Sequence, residues 1–510
     1  MLTFAVFSYN PKMVKITVHQ NGKIRETESR QGDILLQALR NSGFEVYSPC
    51  GGNGTCGKCK VLVKGEGIVT SCIFPVSQEI EVVLPDRREA KVLVSQHAYT
   101  IQLPFSPGPS ADLSVYPHGV AIDIGTTSVV FYLVNLITGT IVETRAILNP
   151  QAKYGADVIS RIQFTASAND GLHILQKEII DAINRELDHL THFVGISMNE
   201  IVKIVIAGNT TMLHLLLGAD PMPLALAPFK AQFLEEQQLM GRDLVLNCYP
   251  DAEIKVLPSI SAYVGSDIVA GLASITPSEN YHNYLFMDIG TNGELALVTR
   301  DHIWCCSTAA GPAFEGARIS CGMGAVEGAI SAFGNEGYTV IGEDKPVGIC
   351  GSGLIDLVAC LCSNGIIDYE GRLTEDYIIV AAKESGTGKD ISLTQTDVRE
   401  VQLAKSAIAS GVKLLLKQSG LTFEDLDALF LAGGFGNYIN NESAIRIGLL
   451  PQEMKDRIIP LGNTSGTGAI ASLKSVFFDE VMEKIIEGST LVELANDEDF
   501  AMEFAMNMMF

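Results

Sequence analysis

Although 47% of its 510 residues are hydrophobic, the chain has no uninterrupted apolar run near the ~20 residues that a membrane-spanning helix needs. It has no surplus of Lys and Arg either. The formal net charge is −23, which argues against nucleic acid as a partner. The opening stretch, MLTFAVFSYNPKM, lacks the positive region and the longer apolar core of a secretory leader. A cytoplasmic location is therefore expected, and in that compartment eleven cysteines do not form a disulfide framework. One Cys-x2-Cys occurs, no second one follows, and no cysteine lies beyond Cys362. Cys248, Cys305, Cys306, Cys321, Cys350, Cys360 and Cys362 are expected to be packed free thiols.

The chain does contain four cysteines in one glycine-rich stretch: Cys50, Cys56, Cys59 and Cys72, spaced Cys-x5-Cys-x2-Cys-x12-Cys. Thiolates are the soft ligands of iron–sulfur clusters, and a [2Fe–2S] cluster takes four. Glycines around the first three let backbone N–H groups approach the sulfurs. A zinc ribbon would supply two Cys-x2-Cys knuckles, and this loop supplies one. Around the loop, VKITV predicts a strand, Asn21-Gly22 a turn and IRETE a return strand. Asp33 is placed to cap a short helix that Gly43 ends, and KVLVKG and EIEVVLP predict two further strands. In this order of elements the first 85 residues resemble a β-grasp [2Fe–2S] ferredoxin. The departure is Cys72, which comes earlier than the fourth ligand of plant-type or adrenodoxin-type members.

Residues 86–117 then read as an extended linker, with Pro104, Pro107, Pro109 and Pro117 near its end. Beyond it, GVAIDIGTTSVVFYLV predicts strand, tight turn, strand. Glycine N–H groups and threonine hydroxyls in such a turn offer donors to phosphate, and Asp123 can hold Mg²⁺ through water. The pattern recurs in YLFMDIGTNGELALVTR: Asp288, Gly290, Thr291, Asn292 and Gly293 repeat Asp123, Gly125, Thr126, Thr127 and Ser128. Two matches about 165 residues apart indicate a duplicated subdomain. A late glycine turn, Gly433, Gly434 and Gly436, follows the apolar run ALFLA. These three elements in this order resemble the actin/Hsp70/sugar-kinase superfamily of two-lobed ATPases over residues 118–475. Gly311, Gly351 and Gly353 lie in further glycine-rich blocks that are expected to open helices at the same cleft. The GTGKD run at 386–390 is not a phosphate loop, because Lys383 replaces its first glycine and Asp390 its Ser/Thr. In this superfamily the carboxylate that orients the attacking water lies late in the first half. Asp267 fits by position, and Asp157 is its rival.

Taken together, CGGNGTCGKC, NPQAKYGADVISRIQF, IAGNTTMLHLLLG, DIGTNGEL, STAAGPAFEGARISCGMGA, GICGSGLID and LAGGFGNYI resemble the reductive activators of corrinoid-dependent methyltransferases. The resemblance implies an α/β multidomain protein: a ferredoxin domain (1–85), a linker (86–117), two ATPase subdomains (118–280 and 281–475) and a C-terminal tail (476–510). It implies a [2Fe–2S] cluster on Cys50, Cys56, Cys59 and Cys72. It also implies ATP and Mg²⁺ held by Asp123, Gly125, Thr126, Thr127, Asp288, Gly290, Thr291, Asn292 and Gly293, with adenosine on Gly433, Gly434 and Gly436. Its partners would be a corrinoid protein, an external low-potential electron donor and a second copy of the chain. Larger members carry an extra domain between ferredoxin and ATPase, for which this linker leaves no room. Three rival readings remain at this point: an ATP-dependent electron activator of a CoA-ester dehydratase or reductase, a ferredoxin-regulated kinase of a small metabolite, and a non-catalytic redox sensor that binds nucleotide.

Overall fold

The computed structural model describes residues 12–20, 23–44, 46, 52, 54, 59–84, 101–107, 118–275, 281–436 and 438–510, with the backbone alone at 434 and 435. They divide into two units, Met1–Arg88 with Gln151–Phe164, and Glu89–Pro150 with Thr165–Phe510.

In the first unit, alternation of apolar and polar residues builds a sheet. Its strands run in the order Lys23–Arg30, Met13–Gln20, Ile80–Val83, Lys60–Val63 and Gly67–Thr70. Val14, Ile16 and Val18 point inward and are buried, as period-two alternation requires. They pack with Leu35, Leu36 and Leu39 of the helix Leu35–Asn41. Gly43, at φ +76°, closes that helix by donating to Arg40 O. Asp33 does not cap it. The helix starts after Ile34 without a side-chain cap, and Asp33 Oδ2 instead accepts from Ser29 Oγ (3.0 Å) and Arg30 N (3.1 Å), which ties down the end of the preceding strand. The strand Gly67–Thr70 was not anticipated, and the Asn21-Gly22 turn lies outside the described residues. Residues Gln151–Phe164, expected in the ATPase, group with this unit, where Arg40 donates to Lys153 O and its guanidinium lies 5.4 Å from the Tyr154 ring.

The second unit holds, among the described residues, two six-stranded sheets of matching plan. The first has Glu253–Val256, Ile201–Gly208, the hairpin His118–Ile124/Ser128–Asn135, and Ile141–Leu148, with Gln237–Met240 added at one edge. The second has Ile458–Gly462, Ala428–Ala432, the hairpin Tyr284–Ile289/Gly293–Val298, and Ile303–Thr308, with Ser489–Leu491 added at the opposite edge. In both, two parallel strands feed an antiparallel hairpin and a third antiparallel strand. Ile201–Gly208 is buried along its whole length, which is why it reads as one apolar run.

Three boundaries differ from those read in the sequence. Residues 101–107, expected to be linker, run along this unit: Ile101 N donates to Ser274 O (2.7 Å) and Ser106 N to Lys474 O (2.9 Å). The helix Thr464–Lys474, expected in the second lobe, crosses back to the first. There Ala469, Ile470 and Leu473 share a core with Ala121, Val130 and Val205. Gly468 makes this close packing possible, since a Cβ there would lie 2.3 Å from Ala270 O. The tail is likewise divided. Phe478 and Met482 finish the first lobe's core, Ser489–Leu491 extends the second sheet, and the helix Phe500–Met506 lies on Gln395–Ser419, where Gln402 Nε2 donates to Met508 O (2.6 Å).

Candidate functional site

In the first hairpin, Gly125 N donates to Ser128 O across the turn (2.9 Å). A Cβ at Gly125 would sit 2.9 Å from that same oxygen, so the turn requires glycine. Asn149 buttresses it from the neighbouring strand end: its Nδ2 donates to Gly125 O and its N to Thr127 O, both at 2.8 Å. Asp123 ends the first strand and accepts from Ser465 Oγ (2.7 Å) and Asn463 Nδ2 (2.9 Å). Both donors stand at the start of the crossing helix. Burial pushes the Asp123 pKa up, and these two bonds partly offset it.

The second hairpin turns one residue more tightly. Gly290 N donates to Asn292 O, and Ile289 pairs with Gly293, whereas Ile124 pairs with Val129. The one-residue shift puts Glu294 directly opposite Asp288, while Val130 lies opposite Asp123. Burial first, then the charge of Asp123, pushes Asp288 up to about 7. Glu294 is raised well above its usual value by burial and by Asp267 and Asp288, eased by Asn292 and Ser307. The parallel strand Ala428–Ala432 brings the late glycine turn to this acid. Gly433, at φ +84°, approaches so closely that a Cβ would lie 2.4 Å from Asp288 Oδ1.

Asp267 sits in the first turn of the helix Ser266–Ala273. Gly265 lets that helix start against the next one, since its Cβ would fall 2.6 Å from Asn209 Cα. Asn209 caps Thr210–Leu217 by accepting from Met212 N (2.9 Å), and its Nδ2 donates to Thr126 Oγ1 (3.0 Å). Burial and the charges of Asp288 and Asp123 push Asp267 up to about 8. Asp157 is elsewhere: in the first unit its Oδ1 accepts from Ser160 N (2.7 Å), a helix-capping role. Asp123, Asp267, Asp288 and Glu294 therefore form one electrostatically coupled acidic set. Buried acids that raise one another's pKa hold protons until a cation neutralises them, which is the donor chemistry that Mg²⁺ with a triphosphate requires.

Gly351 opens the helix Gly351–Ser363 as expected, but Gly353 answers to packing, with a Cβ that would meet Ile330 O at 2.4 Å. No helix opens near Gly311, which lies at φ +76° ahead of a series of turns. Those turns carry a residue that the sequence reading missed. Glu315 accepts from Thr127 Oγ1 (2.8 Å) and from Thr291 Oγ1 (2.7 Å), one hydroxyl from each hairpin. Asn149, Asn463, Ser465 and Glu294 were missed as well. Asn463 and Ser465 lay in the LGNTSGTGA corner, which signalled a loop-to-helix junction but not its target.

In the first unit, Cys59 and Cys72 are both buried, and Cys72 N donates to Cys59 Sγ (3.4 Å). Gly52 and Gly54 adopt positive φ, +99° and +77°. A buried cysteine sulfur that accepts a backbone N–H bond from a second buried cysteine fits cluster ligation. Cys50 and Cys56 lie outside the described residues. The remaining cysteines behave as packed thiols: Cys248, Cys305, Cys306, Cys350 and Cys362 are buried, and Cys321 and Cys360 partly so.

A ferredoxin-type cysteine loop joined to a duplicated, acid-lined phosphate cleft defines an iron–sulfur protein with an ASKHA-type ATPase unit. Family models agree region by region. A 2Fe-2S iron-sulfur cluster binding domain matches residues 18–84, the RACo middle region 118–277, and the C-terminal, ASKHA domain of RACo 282–510. The corrinoid activation enzyme RamQ of Eubacterium limosum is 31% identical over 95% of this chain and 97% of its own length. The [Co(II) methylated amine-specific corrinoid protein] reductase of Methanosarcina barkeri is 28% identical over 68% of each chain. A solved reductive activator for a corrinoid, iron-sulfur protein superposes with TM-score 0.70 at 29% identity, covering 98% of both chains. The chain belongs to the RACo family of reductive activators of corrinoid proteins. Its cofactors are a [2Fe–2S] cluster, ATP and Mg²⁺. The region named middle is the stretch read from the sequence as the first ATPase lobe.

Proposed function

We propose that this chain uses ATP to return the cobalt of a corrinoid protein from Co(II) to Co(I) in a methyltransferase system. One observation carries this reading: a single chain holds both a cysteine loop of ferredoxin type and two phosphate hairpins whose acids meet in one buried set. Cys50, Cys56, Cys59 and Cys72 hold the [2Fe–2S] cluster, which when bound supplies the electron. A four-cysteine centre of this kind lies near about −400 mV, and each ~59 mV of one-electron deficit against the cobalt costs about 1.4 kcal/mol. Nucleotide binding offsets that deficit only if it favours one state of the protein over another.

Asp123, Thr126, Thr127, Asp288, Thr291 and Asn292 hold the phosphates and Mg²⁺, with Gly125, Gly290 and Gly293 shaping the turns. Asp267 orients the attacking water. Its place in the acidic set supports this role, because a raised carboxyl near neutrality is poised to accept a proton. Gly433, Gly434 and Gly436 lead the adenosine away from Asp288 toward a cavity of about 460 Å³ between the helices Gly351–Ser363 and Asn441–Arg446. Asp356 lines that cavity with a buried Oδ1 that meets no donor. That oxygen suits the amino group of a base. An external low-potential reductant recharges the cluster, and family likeness supports a homodimer working in the cytoplasm.

The test is to mix the cluster-loaded protein with an oxidised corrinoid protein, reductant and ATP, and to record the visible spectrum. Co(I) bands are expected only with ATP, and their appearance without it would overturn the reading. The Cys72→Ala protein is expected to lose the cluster spectrum and the reduction together.

A further inference from the structure

The cleft contains an anion of its own at the point where the two hairpins face each other. Glu315 shares its two carboxylate oxygens between the lobes. Oε1 takes the hydroxyl of Thr127 from the first hairpin (2.8 Å), and Oε2 takes that of Thr291 from the second (2.7 Å). These hydroxyls are two of the donors assigned above to phosphate. The arrangement is built into the backbone. Ala313 and Phe314 are buried on one side of Glu315 and Ile319 on the other. Glu315 N and Ala317 N both bond back to Pro312 O (3.2 and 3.1 Å). Gly316, at φ +76°, packs so tightly that a Cβ would lie 2.4 Å from Met323 N. The carboxylate is thus presented by a tight turn anchored in the core.

Two anions cannot share the same two donors in a partly buried cleft. We propose that Glu315 occupies the place of the nucleotide's terminal phosphate and sets the preference of the site between nucleoside triphosphate and diphosphate. A triphosphate must displace the carboxylate from Thr127 and Thr291, so its affinity is reduced. A diphosphate stops short of them and leaves the carboxylate bridge between the lobes intact. The two nucleotide states then differ in what joins the hairpins, phosphate in one and Glu315 in the other. That difference allows the cleft to respond to the terminal phosphate rather than to nucleotide in general.

The inference rests on the nucleotide reading above, and calorimetry on the full-length, cluster-loaded protein separates the two. Binding of a non-hydrolysable ATP analogue and of ADP, each with Mg²⁺, is measured for wild type and Glu315→Gln. The neutral isostere is expected to bind the triphosphate analogue about tenfold more tightly while ADP affinity moves less than about threefold. An equal change for both nucleotides, or weaker triphosphate binding, overturns the proposal. Glu315→Asp keeps the charge but is one methylene too short to reach both hydroxyls, and serves if the Gln protein does not fold. Its triphosphate-to-diphosphate ratio is expected to rise above that of wild type, and an unchanged or lower ratio overturns the proposal. If wild type binds neither nucleotide, the nucleotide reading itself fails. If wild type binds both and the variants leave the ratio unchanged, this inference alone fails.

Discussion

The two phosphate hairpins read almost alike, DIGTTS and DIGTNG, and occupy equivalent places in their sheets, yet their acids are stabilised in opposite ways. Asp123 faces an apolar partner across its strand pair and receives two neutral donors, Ser465 and Asn463, from a helix more than 300 residues away. Asp288 faces another carboxylate, Glu294, with Gly433 pressed against it. The first site is satisfied within the protein. The second is left with two facing acids whose ionisation burial and like charge oppose. Duplication therefore preserved a turn and a strand order, while one residue of register and one crossing helix made the halves chemically unequal. The charge-strained half is the one whose acid calls for a cation.

The strongest way to break this comparison is to neutralise the aspartate of the second hairpin. Asp288→Asn is expected to lower ATP hydrolysis about a hundredfold or more in a steady-state assay, because it removes a carboxylate that no neighbouring donor replaces. Equal activity in wild type and Asp288→Asn would show that the second hairpin is structural. A pH series sharpens the point. Asp267 and Asp288 hold protons in the nucleotide-free fold up to about 8 and about 7, but in the unfolded chain only to the ordinary carboxylate value near 4. Between those limits the native state binds more protons, so stability falls as pH rises from about 4 toward 8. Denaturant melts of the nucleotide-free protein are expected to show that decline, and Mg²⁺ with nucleotide to flatten it.

Smaller effects test the individual contacts. Ser465→Ala removes one donor from Asp123 while leaving the other and is expected to cost about 1–2 kcal/mol in chemical denaturation, since a buried acceptor loses its partner. Glu294→Gln acts in the opposite direction. It removes the like charge that forms across the strand pair once pH is high enough to ionise both acids, and is expected to stabilise the nucleotide-free protein by about 0.5–1 kcal/mol there. A loss of stability in that variant would mean that Glu294 is held by partners rather than repelled. The smallest effect is chemical. Burial pushes Cys248 and Cys362 up to about 11 and Cys305 to about 12. Iodoacetamide at pH 8 should therefore spare them in the native protein and modify them once it is unfolded, with the sites read by mass spectrometry.

Much of this site was legible because it depends on short-range rules. A glycine in the turn, an aspartate at a strand end and a threonine after it all lie within six residues, and they read the same in either half. Asp267 emerged from its position between the hairpins and lies in the acidic set, whereas Asp157 caps a helix in the other unit. Local rules also misled. Asp33 looked like a helix cap, but the donors of Ser29 and Arg30 were nearer. The glycines around Gly311 looked like a helix start, but they form turns that present Glu315. Nothing beside Glu315 in the chain says that its partners are 188 and 24 residues away.

The sequence by itself determined the chemistry on offer: the cysteine loop, two acid-and-threonine hairpins in repeat, and a late glycine turn. Turn geometry, thiolate ligation and strand alternation are set by neighbours along the chain, so they can be read from it. Only the tertiary structure decided which groups meet. The register that puts Glu294 against Asp288, the crossing helix that satisfies Asp123, and the turn that places Glu315 on both hairpins arise from packing between segments far apart in sequence. No local pattern encodes such a meeting, because its free energy comes from the whole buried surface that brings those segments together.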